Sequence, residues 1–256
     1  MPESFCILSS NISYDIWVII IIAKINEIKI SYEVEGNGQP IIMLHGWEAN
    51  KNTFNKLKEK LIENFKVYII DLPGFGDTKI DRPYTVHEVA EIIHDFILKL
   101  SIIKPILLTH SYGGRIGIIY ASKYDVDKLI LISSAGVRKK LSLVKRIRIK
   151  LYKLLKKLGI KINIGSKDFK NSDPIKKTML INAVNTDLKA EMNKIKCPTL
   201  LIYGENDQET PLEIAKIINK NINNSALITI DNCGHFPYLE RLNYTLLIIK
   251  SFLCSE

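Results

Sequence analysis

Short apolar runs rich in β-branched residues recur along this chain, and segments of helical periodicity separate them. The runs are QPIIML, KVYII, PILLT, KLILI, PTLLIY and SALITI. One helical segment covers about residues 85–100, where Val86, Val89, Ile93 and Ile97 recur every three or four positions. A strand without a polar face must be buried on both sides, and a parallel sheet between two layers of helices buries it. The sequence therefore predicts a doubly wound α/β architecture, built as one main domain.

The alternation is interrupted once, between the runs KLILI and PTLLIY, by about sixty residues. A parallel crossover needs only a dozen or so residues, so we expect residues 137–196 to form an inserted helical unit, called here the predicted lid. Apolar residues at helical spacing predict an amphipathic helix over Leu143–Leu158. The predicted core then comprises residues 24–136 and 197–256. Residues 1–23 form an N-terminal extension, either an extra edge strand or an extension from a misplaced start.

The positive charge of the chain is concentrated in the predicted lid. The formal net charge is +9, but residues 138–177 hold 15 basic and 2 acidic residues, whereas the remainder holds 21 basic and 25 acidic residues. No zinc-ligand spacing and no basic region followed by heptads accompanies this charge, so nucleic acid is not the expected partner. Three interpretations stay open: a solvated helical face, attraction of acidic substrates into a site, and contact with an anionic membrane surface.

Neither the cysteines nor the N-terminal apolar run indicates an exported or membrane-spanning protein. The four cysteines form no C-x-x-C pair and no dense cluster, which favours neither a zinc site nor a disulfide framework. The run Ile16–Ala23 is far shorter than the roughly 20 residues that cross a bilayer. It also lacks the features of a signal peptide, because no Lys or Arg precedes it and no A-x-A-like site follows. We therefore expect a cytoplasmic protein with reduced thiols.

The segment THSYGG, residues 109–114, lies where a buried strand ends and a helix begins. A serine on such a sharp turn, the nucleophile elbow, is held with its hydroxyl above the sheet, and its neighbours two positions away must be small. Gly113 meets this requirement on one side of Ser111. Thr109 stands where the G-x-S-x-G pattern has its first glycine, and its hydroxyl and methyl groups need extra room.

A serine nucleophile needs an imidazole to take its proton and a carboxylate to orient that imidazole. On this type of turn the chain order is serine, acid, histidine. Asp207 in YGENDQETP and His235 in NCGHFPYLE follow Ser111 in that order, and each comes just after a predicted strand. Open α/β sheets place their sites at these strand ends. Glu205 and Glu209 compete with Asp207 in the same loop, and we favour Asp207 as the acid.

The negative charge of a tetrahedral intermediate is stabilised by backbone N–H groups that point at the former carbonyl oxygen. The amide of Tyr112, directly after Ser111, is one expected donor. The other is expected from the loop after the strand QPIIML, where we select the amide of Trp47. Gly46 allows the chain to turn sharply in this loop, and we expect His45 to hold the loop in place.

Two further titratable residues near these motifs are expected to have structural roles. His110 adjoins Ser111 and should point away from the site, so we expect it to pack beneath the elbow. Asp71 precedes Ser111 in the chain, whereas the acid of this arrangement should follow the serine. We therefore expect Asp71 to brace the PGFG loop.

The motifs LHGW, DLPGFGDT, HSYGG, LLIYGENDQETP and CGHFPYLE occur in an order that resembles the α/β-hydrolase superfamily. Within that superfamily the chain is similar to the small bacterial serine hydrolases that carry a lid. The resemblance covers the chain from about Ile25 to Leu253. It implies an eight-stranded, mostly parallel sheet with a helical lid inserted after the sixth strand, no metal or organic cofactor, and hydrolysis through an acyl-serine intermediate. By the same resemblance the site residues are the nucleophile Ser111, the base His235, the acid Asp207, and the oxyanion donors Trp47 and Tyr112.

The expected function is hydrolysis of a carboxylic ester on a small-molecule acyl substrate. A carbon–carbon bond hydrolase, or a lyase of the menaquinone-pathway type, would carry the same triad and stays an alternative. In that case Arg115 and the basic predicted lid would bind substrate carboxylates; otherwise Arg115 is a solvated or ion-paired residue at the start of a helix. A third alternative is a binding protein without activity, in which Thr109 marks a collapsed elbow.

Overall fold

A computed structural model describes residues 5–8, 19–138 and 173–254 of the chain. The predicted amphipathic helix Leu143–Leu158 lies outside these residues, as do residues 1–4 and 9–18 of the N-terminal extension. None of the helices in the described segments has the length and apolar character needed to cross a lipid bilayer.

One sheet of nine strands crosses the described part of the molecule, in the spatial order β1-β2-β3-β5-β4-β6-β7-β8-β9. Strands β1, β2, β3 and β5 pair antiparallel with one another in that sequence, and all pairs from β5 to β9 are parallel. The predicted fold class, a mostly parallel α/β sheet, is confirmed, with β2 to β9 as its eight strands and β1 added at the edge. The strands are β1 Phe5–Leu8, β2 Ile19–Ile25, β3 Ile28–Glu35, β4 Gln39–Leu44, β5 Phe65–Ile70, β6 Ile106–His110, β7 Leu129–Ile132, β8 Thr199–Gly204 and β9 Ser225–Ile230.

The sheet includes part of the N-terminal extension, for which an extra edge strand was one of the two interpretations. Strand β2 starts at Ile19, although we expected the core to start at residue 24. The run IIIIA provides five consecutive apolar residues, four of them β-branched, and such residues extend a strand readily. Strand β1 pairs with β2 antiparallel, from Phe5 opposite Ile22 to Leu8 opposite Ile19. Part of the N-terminal extension therefore belongs to the sheet.

Helices cover both faces of the sheet, and each face buries its own hydrophobic cluster. Along β4, Ile42 and Leu44 contribute to one cluster while Ile41 and Met43 contribute to the other, because successive side chains of a strand point to opposite faces. This explains why the strand carries no polar face. The helices are a short 3-10 helix Lys51–Phe54, α1 Asn55–Leu61, α2 Val86–Lys99, α3 Tyr112–Lys123, α4 Pro174–Asn185, α5 Lys189–Met192, α6 Leu212–Asn221, α7 Pro237–Glu240 and α8 Leu242–Cys254.

Helices α4 and α5 belong to the described part of the predicted lid. Helix α4 begins where the Asp173 side chain accepts a hydrogen bond from the Lys176 amide and Pro174 occupies the first turn, a common way to start a helix. After α4 the chain returns toward the sheet, and the Leu188 amide donates to the Gly136 carbonyl oxygen at 2.9 Å. Gly136, directly before the predicted lid and four residues after β7 ends, is thus joined to Leu188, which follows α4.

Candidate active site

Ser111 lies on a tight turn between β6 and α3 with φ 50° and ψ −107°. A positive φ is strained for a serine, so the surrounding contacts must hold it in place. The Ser111 amide donates to the Ile132 carbonyl oxygen, and the Ser111 carbonyl oxygen accepts from the Gly114 and Ala135 amides, all at 3.1 Å. Although Ser111 occupies the N-cap position of α3, its side chain makes no capping hydrogen bond. The hydroxyl is therefore available for chemistry.

Thr109 fits the elbow because a glycine elsewhere makes room for it. The Thr109 side chain is fully buried, and its hydroxyl donates to the Ile130 carbonyl oxygen at 3.0 Å. A Cβ atom added to Gly117, on the facing turn of α3, would lie only 2.8 Å from the Thr109 methyl carbon. The missing side chain at Gly117 thus provides the space that the usual glycine before the serine would have left. The elbow keeps its conformation with threonine at position 109.

Asp207 and His235 lie after β8 and β9, and the structure brings them together. The His235 Nδ1 and Asp207 Oδ2 atoms are 2.8 Å apart, and both side chains are buried. The Asp207 carboxylate also accepts the amides of Glu209 and Thr210, each at 2.9 Å, and lies 2.7 Å from the Thr210 hydroxyl. Burial alone would raise the pKa of Asp207, but the hydrogen bonds from His235 and Thr210 outweigh it and lower the pKa to about 2. Asp207 is therefore ionised at neutral pH, and His235 donates its Nδ1 proton to it.

The other ring nitrogen of His235 faces an acidic residue of the same loop. His235 Nε2 lies 3.4 Å from Glu209 Oε2, and the Glu209 side chain is 68% exposed. Among the described residues, no hydrogen bond joins the Ser111 hydroxyl to His235. The third carboxylate of the loop, Glu205, accepts the Asn232 amide at 3.3 Å. Asp207 is the one of the three that contacts Nδ1.

His110 connects the elbow to the loop that carries His235. Its Nε2 lies 2.9 Å from the His235 carbonyl oxygen, to which it donates, and the two rings are 4.8 Å apart. Burial, together with the nearby His235, lowers the pKa of His110 to about 3, so the ring is neutral. His110 packs beneath the elbow and does not face the cavity above Ser111.

The loop after β4 passes directly beside Ser111. A Cβ atom on Gly46 would lie 3.4 Å from Ser111 Cβ and 2.8 Å from His110 Nδ1, so only glycine fits at this close approach. Trp47 and Tyr112 line the cavity next to Ser111, and their rings pack edge to face at 5.2 Å. Tyr112 is the first residue of α3, where backbone N–H groups have no partner within the helix. The Trp47 and Tyr112 amides therefore stand on the two chain segments that border the serine.

His45 fixes the orientation of that loop. Its Nε2 accepts the Leu72 amide at 3.0 Å, so the proton is on Nδ1, which donates to the Gly46 carbonyl oxygen at 2.7 Å. Burial lowers the pKa of His45 to about 4, which keeps the ring neutral. The His45 carbonyl oxygen in turn accepts the Gly113 amide at 3.1 Å. These bonds connect the loop to both neighbouring strand ends.

Lys51 is a structural residue of this region that the sequence analysis missed. Its Nζ lies 2.8 Å from the fully buried Asp71 and 2.8 Å from Asp77, and its backbone amide donates to Asp71 at 2.7 Å. Asp71 also accepts the Asp77 amide at 3.0 Å, so the pair braces the loop that carries Phe75. The Phe75 ring packs against Trp47 at 4.9 Å. Nothing in the segment KNTF distinguishes this lysine from an ordinary exposed one, because its acidic partners lie 20 and 26 residues away.

A cavity of about 490 Å³ opens above Ser111. Its apolar wall combines the core with helix α4, and its polar wall carries the two arginines Arg115 and Arg138. Arg115 is only 6% exposed, and its Nη1 donates to the Thr186 carbonyl oxygen at 3.0 Å. Burial lowers the pKa of Arg115 to about 10, so it is charged at neutral pH. The residues that line the cavity are Trp47, Ser111, Tyr112, Arg115, Ala135, Val137, Arg138, Leu180, Ala183, Val184, Asn185, Glu209, Thr210 and Ile214.

Comparison with known proteins identifies the family of this fold and site. A family model described as alpha/beta hydrolase fold matches residues 39–144, and one described as TAP-like protein matches residues 180–250. The AB hydrolase superfamily protein YisY of Bacillus subtilis is 30% identical over 80% of this chain and 88% of its own length. The pimeloyl-[acyl-carrier protein] methyl ester esterase of Wigglesworthia glossinidia brevipalpis is 29% identical over 87% of this chain and 96% of its own length.

A solved structure agrees with the sequence comparisons. The esterase EaEST from Exiguobacterium antarcticum superposes with a TM-score of 0.74 at 26% identity, covering 91% of this chain and 98% of the esterase. At this coverage and TM-score the esterase shares the overall fold of this chain. The chain is a hydrolase and belongs to the α/β-hydrolase superfamily.

Proposed function

We propose that this hydrolase cleaves carboxylic esters through an acyl-serine intermediate formed on Ser111, with His235 as base and Asp207 as the acid that orients it. The observation that carries the proposal is the strained backbone of Ser111, held at φ 50° beside the cavity with a hydroxyl that makes no capping bond. Two similar proteins, the methyl ester esterase of Wigglesworthia and EaEST, are named as esterases, which supports an ester as the substrate.

In the first half of the reaction, the Ser111 hydroxyl oxygen bonds to the ester carbonyl carbon while its proton passes to His235 Nε2. The negative charge on the former carbonyl oxygen is stabilised by the Trp47 and Tyr112 amides. The carbon–oxygen bond to the alcohol then breaks, and His235 gives its proton to the departing oxygen. The Asp207 carboxylate stabilises the imidazolium that forms between these two steps.

In the second half, water attacks the acyl-serine carbonyl carbon, and His235 Nε2 takes one proton from that water. The bond to Ser111 breaks, the proton returns to the serine oxygen, and the carboxylic acid leaves. His235 Nε2 must face Ser111 and then the leaving group in this cycle, so the Glu209 carboxylate, 3.4 Å from Nε2, has to move aside. Because Glu209 is mostly exposed, its contact with His235 costs little to break.

Covalent labelling with a fluorophosphonate probe tests the proposal. We expect the wild-type protein to carry one adduct, located by peptide mass spectrometry at Ser111, and the variant Ser111→Ala to carry none. The matched control is Ser122→Ala, which removes a hydroxyl from the other end of the same helix. Hydrolysis of 4-nitrophenyl butyrate should fall by at least roughly 10,000-fold in Ser111→Ala and stay unchanged in Ser122→Ala. A folded wild-type protein that is not labelled and does not hydrolyse esters would refute the proposal.

Carbon–carbon bond hydrolysis stays the second candidate, because it uses the same three side chains and Arg115 lies in the cavity wall. Aryl-ester activity that is insensitive to Arg115→Ala would count against this candidate. The alternative of an inactive relative depended on a collapsed elbow at Thr109. The elbow conformation of Ser111 removes that argument.

A further inference from the structure

Arg115 is a buried charge to which the described residues supply no acidic partner. Its single hydrogen bond to a described residue is the one from Nη1 to the Thr186 carbonyl oxygen, at 3.0 Å. Within the described ranges, no carboxylate oxygen lies within 4.0 Å of its guanidinium group. The acidic residue that acts on it electrostatically, Asp187, is engaged by Lys189, with 3.6 Å between Oδ2 and Nζ. Buried charges are normally paired, and a guanidinium has five N–H groups to satisfy.

The unpaired guanidinium stands in the same cavity as the reacting serine. Arg115 comes four residues after Ser111, which is about one helical turn, or roughly 6 Å along α3, and both residues line the cavity. Two more charged residues, Arg138 and Glu209, line the same cavity, and its apolar wall is formed by Val137, Leu180, Ala183, Val184 and Ile214. A ligand that fills this space would meet the buried Arg115 charge beside an apolar surface.

A second unsatisfied group lies beside Arg115. The Tyr112 hydroxyl is buried and has no hydrogen-bond partner among the described residues. It interacts electrostatically with Arg115, so the two groups are neighbours. Both groups are hydrogen-bond donors, and they lie three residues apart on α3, on the same face of the helix. The cavity wall therefore offers an anion the N–H groups of Arg115, to which the described residues supply one acceptor, the Thr186 carbonyl oxygen.

We propose that Arg115 binds a carboxylate of the substrate, and that this hydrolase prefers esters that carry one carboxylate within reach of Arg115 in the cavity. This inference rests on the proposed function, because it assigns the substrate class of the same site. A planar carboxylate matches the fork of a guanidinium and accepts two parallel hydrogen bonds. Arg115 and Arg138 contribute two positive charges to the cavity wall and Glu209 contributes one negative charge, so the wall carries a single net positive charge. A monoanion in an apolar body therefore fits better than a phosphate dianion.

The test compares anionic and neutral esters of equal shape. One pair places the carboxylate on the acyl side: mono-4-nitrophenyl adipate against 4-nitrophenyl 6-methylheptanoate. The other pair places it on the alcohol side: 3-(butyryloxy)benzoate against 3-(butyryloxy)benzamide. For each pair we measure kcat/KM, subtract spontaneous hydrolysis, and form the ratio of anionic to neutral substrate. In the wild-type protein we expect at least one of the two ratios to be about ten, because a hydrogen bond to a charged group stabilises binding by about this factor.

Variants assign that preference to Arg115. Arg115→Gln should reduce the favourable ratio by about tenfold, mainly through the KM of the anionic ester, and Arg115→Lys should reduce it less. The matched control Lys216→Gln removes the same charge from an exposed position on helix α6, and the ratio should stay within about twofold because exposed charges are screened. Thermal unfolding of each variant identifies losses that come from the Thr186 hydrogen bond. A purely structural role of Arg115 would lower the activity on both esters of a pair and leave the ratio unchanged.

The outcomes separate this inference from the proposed function. If the wild-type protein hydrolyses the neutral esters but prefers the anionic ester in neither pair, Arg115 does not select the substrate and only this inference fails. An unchanged ratio in a folded Arg115→Gln variant has the same meaning. If the wild-type protein hydrolyses none of the four esters, both proposals are wrong. The wild-type comparison decides the question even when a substitution of Arg115 prevents folding.

Discussion

The contact between Thr109 and Gly117 allows a sharp prediction about the elbow. In Gly117→Ala, the new Cβ would lie 2.8 Å from the Thr109 methyl carbon and 3.4 Å from Leu129 Cδ1. Carbon atoms in contact prefer about 3.5–4.0 Å, so strand β6 and helix α3 must separate locally by roughly 1 Å. Overpacking of this kind costs about 1–3 kcal/mol, while alanine is favoured over glycine in a helix by about 1 kcal/mol. We expect a net loss of stability of up to about 2 kcal/mol.

The same substitution should have the opposite effect when residue 109 is small. Thr109→Ala removes the methyl carbon that clashes, so adding Gly117→Ala should then raise the stability by up to about 1 kcal/mol. The coupling energy between the two positions is therefore about 1–3 kcal/mol. Because Thr109 is two residues before Ser111, a displacement of roughly 1 Å should also lower kcat/KM of Gly117→Ala by about 10- to 100-fold. The double variant should recover most of that activity.

The assay is a double-mutant cycle with two readouts. Urea unfolding of the wild type, both single variants and the double variant gives the stability differences, and hydrolysis of 4-nitrophenyl butyrate gives kcat/KM for the same four proteins. Effects that add within about 0.3–0.5 kcal/mol would refute the reasoning, because independent sites behave in this way. Full activity in Gly117→Ala would show that the elbow does not depend on this contact.

Two more predictions concern the buried carboxylates. Folding lowers the pKa of Asp207 from 3.8 to about 2. The ionised carboxylate therefore contributes about 2 kcal/mol of stability that is present above pH 4 and is lost as the pH falls toward 2. Urea unfolding across pH 2 to 7 should show this steeper loss of stability in acid for the wild type and not for Asp207→Asn. Lys51→Met leaves the charge of Asp71 buried without its partner and should destabilise the protein by about 3–5 kcal/mol in urea unfolding. The exposed control Lys56→Met should change the stability by less than about 0.5 kcal/mol, and equal effects of the two lysine variants would contradict the role of Lys51.

The sequence predicts the fold class well because the residues that indicate each strand and helix lie close together in the chain. Runs such as QPIIML and KLILI indicate burial on both faces of a strand within a few residues. The helical spacing of Val86, Val89 and Ile93 likewise lies within two turns of α2. The start of the sheet was harder to place. Strand β2 begins at Ile19 because an apolar run continues in strand conformation when a neighbouring strand pairs with it, and β1 is separated from it in the chain.

The residues of the candidate site also form two groups: those that the sequence indicates and those that only the tertiary structure shows. Ser111, Asp207 and His235 could be selected from the chain because each follows a strand, and the strand ends meet at one edge of the sheet. Their catalytic roles stay predictions until labelling is done. Lys51, Gly117 and the contact of Glu209 with His235 could not be read from the sequence. Each depends on which side chains lie opposite one another across the tertiary structure, and no short motif records that.

The hydrogen bond from Leu188 to Gly136 gives the predicted lid a modular character. Strands β7 and β8 pair directly from Leu129 opposite Thr199 to Ile132 opposite Ile202, so the sheet is continuous without the segment that the chain inserts between them. The entropy of closing a loop changes slowly with its length. A segment whose ends are held together therefore tolerates changes of length and composition at little cost in stability. The residues between Gly136 and Leu188 include the part of α4 that lines the cavity. Exchange of these residues therefore offers evolution, or a protein engineer, a way to change the cavity wall while the strand ends that carry the candidate site keep their geometry.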